Sequence, residues 1–168
     1  MKSVNFVLNK LEEIFVILAL AVAVTVAFIE VILRQFGTSM GFSFELVNYL
    51  LIWVGLIGAS IGVRENVHLG VDLLIKNFEA KTQKAILILG NLVSVFFSVL
   101  IAYLGYLHVQ DVLHLGQLSP EMEMPLYIPR SLIPIAFGLM GIRFLQQTYR
   151  IWKTSAEQLE QREGVIHE

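Results

Sequence analysis

Cysteine is absent from this 168-residue chain, and charged residues make up only 15% of it. Without cysteine there is no disulfide framework, no thiolate metal site and no cysteine nucleophile. The sequence also has no nucleotide-binding loop, no metal-ligand spacing, no nucleophile elbow and no pair of catalytic carboxylates. It therefore predicts neither an enzyme nor a bound cofactor, and we expect no nucleic-acid partner.

What the chain has instead is four long apolar stretches, at residues 14–33, 46–63, 85–107 and 126–145. A helix of about 20 residues spans the ~30 Å hydrocarbon core of a bilayer. A chain this short could not bury four helices that are apolar on every side, so a soluble fold is excluded. The sequence predicts an all-α integral membrane protein with one membrane domain over 1–154. We place its four transmembrane helices at about 12–34, 45–64, 84–108 and 126–147.

The basic residues indicate the orientation, because Lys and Arg concentrate at the cytoplasmic ends of membrane helices. Arg34 and Arg130 are the two basic residues on the expected external side. We therefore expect both termini to be cytoplasmic, and we expect the first apolar stretch to be a retained anchor and not a cleaved signal peptide. The ten basic residues expected on the cytoplasmic side are Lys2, Lys10, Arg64, Lys76, Lys81, Lys84, Arg143, Arg150, Lys153 and Arg162.

The connection after the second stretch mixes apolar and polar residues over 69–79, which is typical of a short amphipathic helix lying flat in the membrane interface. Lys76, Lys81 and Lys84 would then contact anionic lipid headgroups. A solvated turn with scattered apolar residues is the alternative interpretation. The polar residues 155–168 are expected to form a cytoplasmic tail.

Small residues recur every four positions in two of the stretches. Gly90, Ser94 and Ser98 share one face of the third helix, and helix two pairs Gly58 with Gly62 and places Ala59 after Gly55. Between membrane helices such stripes mark faces where backbones approach closely. Contact within this chain and contact with another chain both remain open.

Four ionisable residues, Glu30, Arg34, Glu45 and Arg130, share a level near the expected external ends of the helices. Ionisable groups at membrane depth need partners. Glu30 and Arg34 are one turn apart in the order that favours an ion pair. We expect a buried polar cluster that fixes the register between helices or with a partner. Snorkelling to headgroups, and for Glu45 simple capping of helix two, are the alternatives.

Two other functions compete for a four-helix membrane chain. A haem-bearing anchor of a respiratory complex needs two histidines at similar depth on facing helices. The sequence does not provide such a pair among its histidines, which are His68, His108, His114 and His167. Only His108 and His114 share a side, and both lie beyond the core of one and the same helix. A self-sufficient small exporter could use Glu30 to carry a proton, but the chain has no interrupted helices or inverted repeat of the kind that transporter cores show.

One pattern along the chain is distinctive. Residues 43–59 read SFELVNYLLIWVGLIGA and residues 64–74 read RENVHLGVDLL, after an Arg that ends the first apolar stretch. Over about residues 1–152 this chain resembles the small membrane subunit of tripartite ATP-independent periplasmic (TRAP) transporters. Met124 and the two acids Glu121 and Glu123 are small departures from the family pattern. The matching positions are Arg34, Glu45, Trp53, Gly58, Ala59, Arg64, His68, Asp72 and Leu73.

The resemblance implies a multi-pass protein of the bacterial inner membrane that does not itself conduct solute. In this family a periplasmic substrate-binding protein captures a carboxylate-bearing solute. A large membrane (M) subunit moves the solute by an elevator-type motion driven by a sodium gradient, and the small subunit holds the scaffold of the large one. The expected solute is an organic acid of the sialic acid or dicarboxylate type, and the expected partners are those two proteins and membrane phospholipids.

The resemblance also implies roles for single residues. Arg34 and Glu45 would make external contacts, Trp53 would pack or anchor at the lipid level, and Arg64, His68 and Asp72 would fix the bend into the flat helix. Ordinary aromatic packing of Trp53 and mutual capping of His68 and Asp72 are the alternatives. Asp111, Glu121 and Glu123 form an acidic external patch that is a candidate docking surface for the binding protein, unless it is simply solvated.

Overall fold

The computed structural model describes residues 2–64 and 79–154, with side chains described for 9–64, 79 and 81–154. Four long helices confirm the predicted all-helical, four-span architecture: α1 (Lys2–Gln35), α2 (Ser43–Arg64), α3 (Ala80–His114) and α5 (Leu132–Lys153). A single-turn helix, α4 (Tyr127–Arg130), precedes α5. The predicted interfacial helix over 69–79 lies almost entirely outside the described residues, as do His68, Asp72, Lys76 and the tail over 155–168.

Each long helix contains an apolar span that is long enough to cross a membrane. The apolar spans cover Asn9–Gln35, Ser43–Arg64, Lys81–His114 and Tyr127–Lys153. In the most apolar window of each span, only 11% to 28% of the residues are buried within the chain. The remaining apolar surface needs lipid or another protein against it, since no hydrocarbon of this extent is stable in water.

A tight turn joins α1 to α2 and makes them an antiparallel hairpin. Gly37 has φ +73° at the end of α1, a left-handed conformation that glycine adopts without steric cost. The Thr38 amide donates to the Leu33 carbonyl at 3.1 Å, and the Gly37 amide donates to the Arg34 carbonyl at 3.1 Å. This helix-ending geometry uses carbonyls that would otherwise lack partners.

The connection from α3 to α4 folds into a short hairpin-like loop. Its two sides are joined by hydrogen bonds from the Ser119 amide to the Met124 carbonyl at 2.8 Å and from the Leu126 amide to the Gln117 carbonyl at 3.0 Å. Leu118 and Pro125 form an isolated antiparallel bridge. The loop thus returns the chain directly to the bundle through α4, and it brings residues 119–122 beside the start of α2.

Three helix pairs make the bundle: α3 with α5, α1 with α2, and α2 with α5. The α3–α5 contact is close, because a Cβ on Gly105 would lie 3.3 Å from side-chain atoms of Ile133 and Pro134. A Cβ on Gly141 would lie 3.5 Å from the Cβ of Ser98. The small-residue stripe of α3 therefore packs within the chain at Ser98.

The glycines of helix two behave differently. A Cβ added at Gly55, Gly58 or Gly62 would meet no atom of another element within 4 Å, and the same holds for Gly90 on α3. Ala59 is exposed. Within the described residues, no other helix of this chain approaches these positions of α2 closely.

Candidate functional site

Polar contacts concentrate at the two ends of the bundle. We call one end the loop end, where α1 ends, α2 begins and the connection 115–126 lies. The opposite end, where α2 ends and α3 begins, is called the basic end. It carries seven of the described basic side chains, whereas the loop end carries Arg34 and Arg130. The seven are Lys10, Arg64, Lys81, Lys84, Arg143, Arg150 and Lys153.

At the loop end, the buried Glu30 carboxylate fastens the turn between α1 and α2. Its Oε1 accepts hydrogen bonds from Arg34 Nε at 2.9 Å and Ser39 Oγ at 2.7 Å. Its Oε2 accepts from the Met40 amide at 3.0 Å. The predicted Glu30–Arg34 ion pair is therefore confirmed. The Arg34 side chain is 65% exposed, so it retains donors for other groups.

Two glutamates join the start of α2 to the α3–α4 loop reciprocally. The Glu45 carboxylate Oε2 accepts from the amides of Glu121 at 2.8 Å and Met122 at 2.9 Å. In return, Glu121 Oε2 accepts from the Glu45 amide at 3.0 Å. The second contact places a negative charge at the positive end of the α2 dipole. Tyr49 donates its hydroxyl to Glu45 Oε1. We call this set of contacts the glutamate clamp.

The four ionisable residues expected to form one cluster have different hydrogen-bond partners. Arg130 contacts His108, with 2.9 Å between its Nη1 and the ring Nε2. Among the described residues, the side-chain hydrogen bonds of these four thus fall into three sets, centred on Glu30, on the glutamate clamp and on Arg130. Sequence reasoning missed Glu121 and His108 as partners, because each lies far from its partner along the chain.

Trp53 joins helix two to the segment before α5. Its indole Nε1 donates to the Pro129 carbonyl at 3.0 Å, and its ring lies 6.1 Å from that of Phe15, centroid to centroid. The hydrogen bond satisfies both a half-buried indole N–H and a carbonyl of α4. Trp53 therefore has a packing role inside this chain, which was one of the two expected for it.

An open groove of about 260 Å³ lies beside the glutamate clamp. The acidic residues Asp111, Glu121 and Glu123 are all exposed at the same end of the bundle. Glu123 has φ 52°, an uncommon conformation for a residue other than glycine. The residues that line the groove are Phe44, Glu45, Asn48, Tyr49, Pro120 and Glu121.

At the basic end, two ion pairs attach α1 to its neighbours. Glu12 pairs with Arg143 of α5, and both side chains are nearly buried. Glu13 pairs with Arg64 of α2 at 2.8 Å. Sequence reasoning singled out neither acid. Charge complementarity could have pointed to these pairs, because both acids lie at the start of the first apolar stretch. Arg64 and Arg143 lie at the ends of two other stretches.

Lys84 has an intramolecular role where the sequence predicted a lipid contact. Its Nζ donates to the carbonyls of Trp152 at 2.9 Å and Thr154 at 2.7 Å. A cation at the end of α5 satisfies carbonyls that the helix leaves free and opposes the negative end of its dipole. Lys81 is exposed, as a headgroup contact would require. In the part of the chain that the structure describes, no group of three or more metal-ligating side chains occurs.

This chain is similar to known components of membrane transporters. A family model described as "Tripartite ATP-independent periplasmic transporters, DctQ component" matches residues 15–154. The C4-dicarboxylate TRAP transporter small permease protein DctQ of Rhodobacter capsulatus is 32% identical over 118 residues, which is 70% of this chain and 52% of that protein. The ectoine TRAP transporter small permease protein TeaB of Halomonas elongata is 26% identical over 147 residues, 85% of this chain and 75% of that protein.

A third relative is longer. The isethionate TRAP transporter permease protein DctMQ of Oleidesulfovibrio alaskensis is 22% identical over 119 residues, which is 71% of this chain but only 19% of that protein. This chain therefore matches about half the length of the Rhodobacter relative and about a fifth of the isethionate relative.

Proposed function

This chain belongs to the DctQ component family of TRAP transporters, and on that premise we propose that it is the non-conducting small subunit that braces a large, moving permease subunit. Its family is a component of transporters and not of enzymes, and its relatives are permease proteins of the bacterial inner membrane. The transported solute would be an organic acid, taken up with sodium.

The observation that carries the bracing role is that polar contacts fasten the helices to each other at both ends. The glutamate clamp ties α2 to the α3–α4 loop, Trp53 ties α2 to the segment before α5, and Glu12 ties α1 to α5. An elevator needs a stationary part that keeps its shape while the other part moves. A bundle fastened at both ends supports that role, because a tilt of one helix would break contacts at one end or the other.

The surface proposed for the large subunit is the face of α2 that carries Gly58, Ala59 and Gly62. These positions are open within this chain, and small residues let a helix of another chain approach closely. The isethionate relative, named DctMQ, contains a counterpart of this chain in 19% of its length. That arrangement supports a close association between the counterpart and the rest of the permease.

The solute is proposed only as a class. The names of the relatives specify C4-dicarboxylate, isethionate and ectoine for those proteins. If similar small subunits serve different solutes, recognition of the solute belongs to the binding protein and the large subunit. We place this chain with an organic acid of the sialic acid or dicarboxylate type, and sodium coupling would be a property of the large subunit.

Co-purification tests the proposed α2 interface. Gly58→Leu should prevent the close approach of a partner helix and reduce recovery of the large subunit with the small one by about tenfold or more, because small-residue membrane interfaces rely on backbone proximity. Gly138→Leu is the matched control: Gly138 is also open within the chain but lies on α5. Both variants should retain the thermal stability of the isolated chain.

Two results would contradict the proposal. Equal recovery of the large subunit with both variants would remove α2 from the interface. Sustained solute flux into vesicles that contain this chain alone would overturn the bracing function itself, and would favour the self-sufficient exporter.

A further inference from the structure

A small arginine-lined cleft lies at the basic end, between the last turn of α2 and the last turns of α5. Arg143, Gln146, Gln147 and Arg150 occupy positions three or four apart on α5, so they share one face of that helix. The bracing function leaves this cleft unexplained. Its lining residues are Val63, Arg64, Arg143, Gln146, Gln147 and Arg150.

The charges of the cleft are unevenly matched. Arg143 has the carboxylate of Glu12 and Arg64 has that of Glu13. Arg150, which is exposed, has no acidic partner among the described side chains. Arginine presents planar, paired donors that match the oxygens of a phosphate group. The cleft is therefore ready to accept an anionic oxygen group.

The depth of the cleft along α5 indicates that a phosphate group bound there would belong to a lipid. Tyr149 and Trp152 are 59% and 70% exposed on the same turns of α5, and exposed aromatic rings mark the membrane–water interface. One to two turns further into the span, Ile142 and Leu145 are exposed, which suits contact with acyl chains. Lipid headgroups are thus at the height of Arg150.

The size of the cleft agrees with a headgroup. It has room of about 20 Å³, enough for a water-sized group but far below the roughly 300 Å³ of pockets that enclose a small-molecule ligand. Only the tip of a larger molecule can enter, while the remainder stays outside. A phospholipid whose chains lie along α5 meets that requirement.

We propose that this cleft is a phospholipid headgroup site, in which Arg150, together with Arg143 from deeper in the cleft, binds the phosphodiester of an anionic lipid such as phosphatidylglycerol. Lipid binding at this cleft would occur whether or not the chain braces a large permease subunit.

Lipid retention by the purified full-length chain tests the arginine. Native mass spectrometry follows bound lipid after supply of phosphatidylglycerol in 1 M salt, where the Debye length is about 3 Å and diffuse attraction is suppressed. Arg150→Gln should weaken binding about tenfold or more, the factor for one direct hydrogen bond to a charged group. Lys153→Gln, which removes a charge from the same helix end but outside the cleft, should leave binding unchanged. Equal losses in both variants would overturn the site.

Competition with inorganic phosphate is a further test. Displacement of lipid by millimolar phosphate would identify a soluble-anion site and overturn the lipid assignment. Loss of the large subunit from Arg150→Gln with lipid retention unchanged would identify a protein contact and also overturn it.

Discussion

Adjacent acids on α1 show how strongly burial changes the value of an ion pair. Glu12 and Arg143 have side chains only 8% and 12% exposed, whereas Glu13 is 42% exposed opposite Arg64. Removing one member of a buried pair leaves an uncompensated charge. A partly solvated pair contributes less, because water already stabilises its more exposed member, here Glu13, while Arg64 is 18% exposed. Glu12 and Glu13 therefore provide a matched comparison.

We predict that Glu12→Gln lowers the free energy of unfolding by about 3–5 kcal/mol, and that Glu13→Gln lowers it by about 1 kcal/mol or less. Denaturant unfolding in detergent, followed by circular dichroism, measures both. Replacing Glu12 and Arg143 together by Leu and Met should recover most of the loss, since no charge is then left alone. Similar losses from the two single variants would contradict the assignment of Glu12 as the buried partner.

The sequence predicts some of these residue contacts and not others, for a physical reason. Glu30 and Arg34 are one helical turn apart, so their pairing follows from helix geometry alone. Glu45 and Glu121 are separated by 76 positions and contact each other's backbone amides. Trp53 likewise donates to a backbone carbonyl. Backbone amides and carbonyls are alike in nearly every residue, so a sequence pattern cannot indicate which of them a side chain will contact.

At the scale of the helices, the bundle is tightest where α3 meets α5. Gly105 lies against Ile133 and Pro134, and Pro134 offers a rigid ring at 3.3 Å from an added Cβ. A neighbour of that stiffness cannot yield easily. Gly90 is on the same helix and has open space around it, so the two positions share a helix but differ in packing.

We predict that Gly105→Ala destabilises the chain by about 1 kcal/mol, because overpacking at a close contact forces the helices apart. Gly90→Ala should be neutral or stabilising by up to about 1 kcal/mol, since alanine is the better helix former. Thermal unfolding of both variants in detergent compares them. If Gly90→Ala is the more damaging of the two, the assignment of the α3–α5 contact is wrong.

Hydropathy predicts the helices well in number and less well in extent. All four spans were predicted, because the lipid requirement selects apolar residues over a fixed length. The helix α1 begins at Lys2, ten residues before the predicted span, and α3 begins before its span as well. Hydropathy reports where lipid begins, and polar turns of a helix outside the lipid leave no apolar signal. The break at Ser131 between α4 and α5 coincides with Pro134, whose nitrogen cannot donate to the Arg130 carbonyl.

At the scale of the whole molecule, the two ends have opposite electrostatic character. The basic end holds seven of the nine described basic side chains, and the loop end presents Asp111, Glu121 and Glu123. The basic end is predicted to face the cytoplasm, which would direct the acids toward the periplasm. The family could be predicted from the residue pattern over 43–74. The faces that meet other proteins could not, since complementary surfaces are encoded in the other chains.

If the acidic loop end guides the binding protein into contact, removing its charge should weaken uptake most when solute is scarce, because docking is then limiting. The variant to test is Asp111→Asn with Glu123→Gln. Glu121 is kept, since its carboxylate accepts from the Glu45 amide and its loss would disturb the glutamate clamp. We expect the binding-protein concentration for half-maximal uptake to rise about fivefold at low salt, as electrostatic steering predicts.

Uptake of radiolabelled solute by vesicles containing the complete transporter, measured across ionic strengths, checks this expectation. The difference between the variant and the unmodified complex should shrink as salt rises, because screening removes the same attraction from both. Glu79→Gln is the control, since it neutralises an exposed acid at the basic end. A difference that persists unchanged in high salt would place the effect in the fold of the loop and not in docking, and no difference at any salt would show that the acidic surface is only solvated.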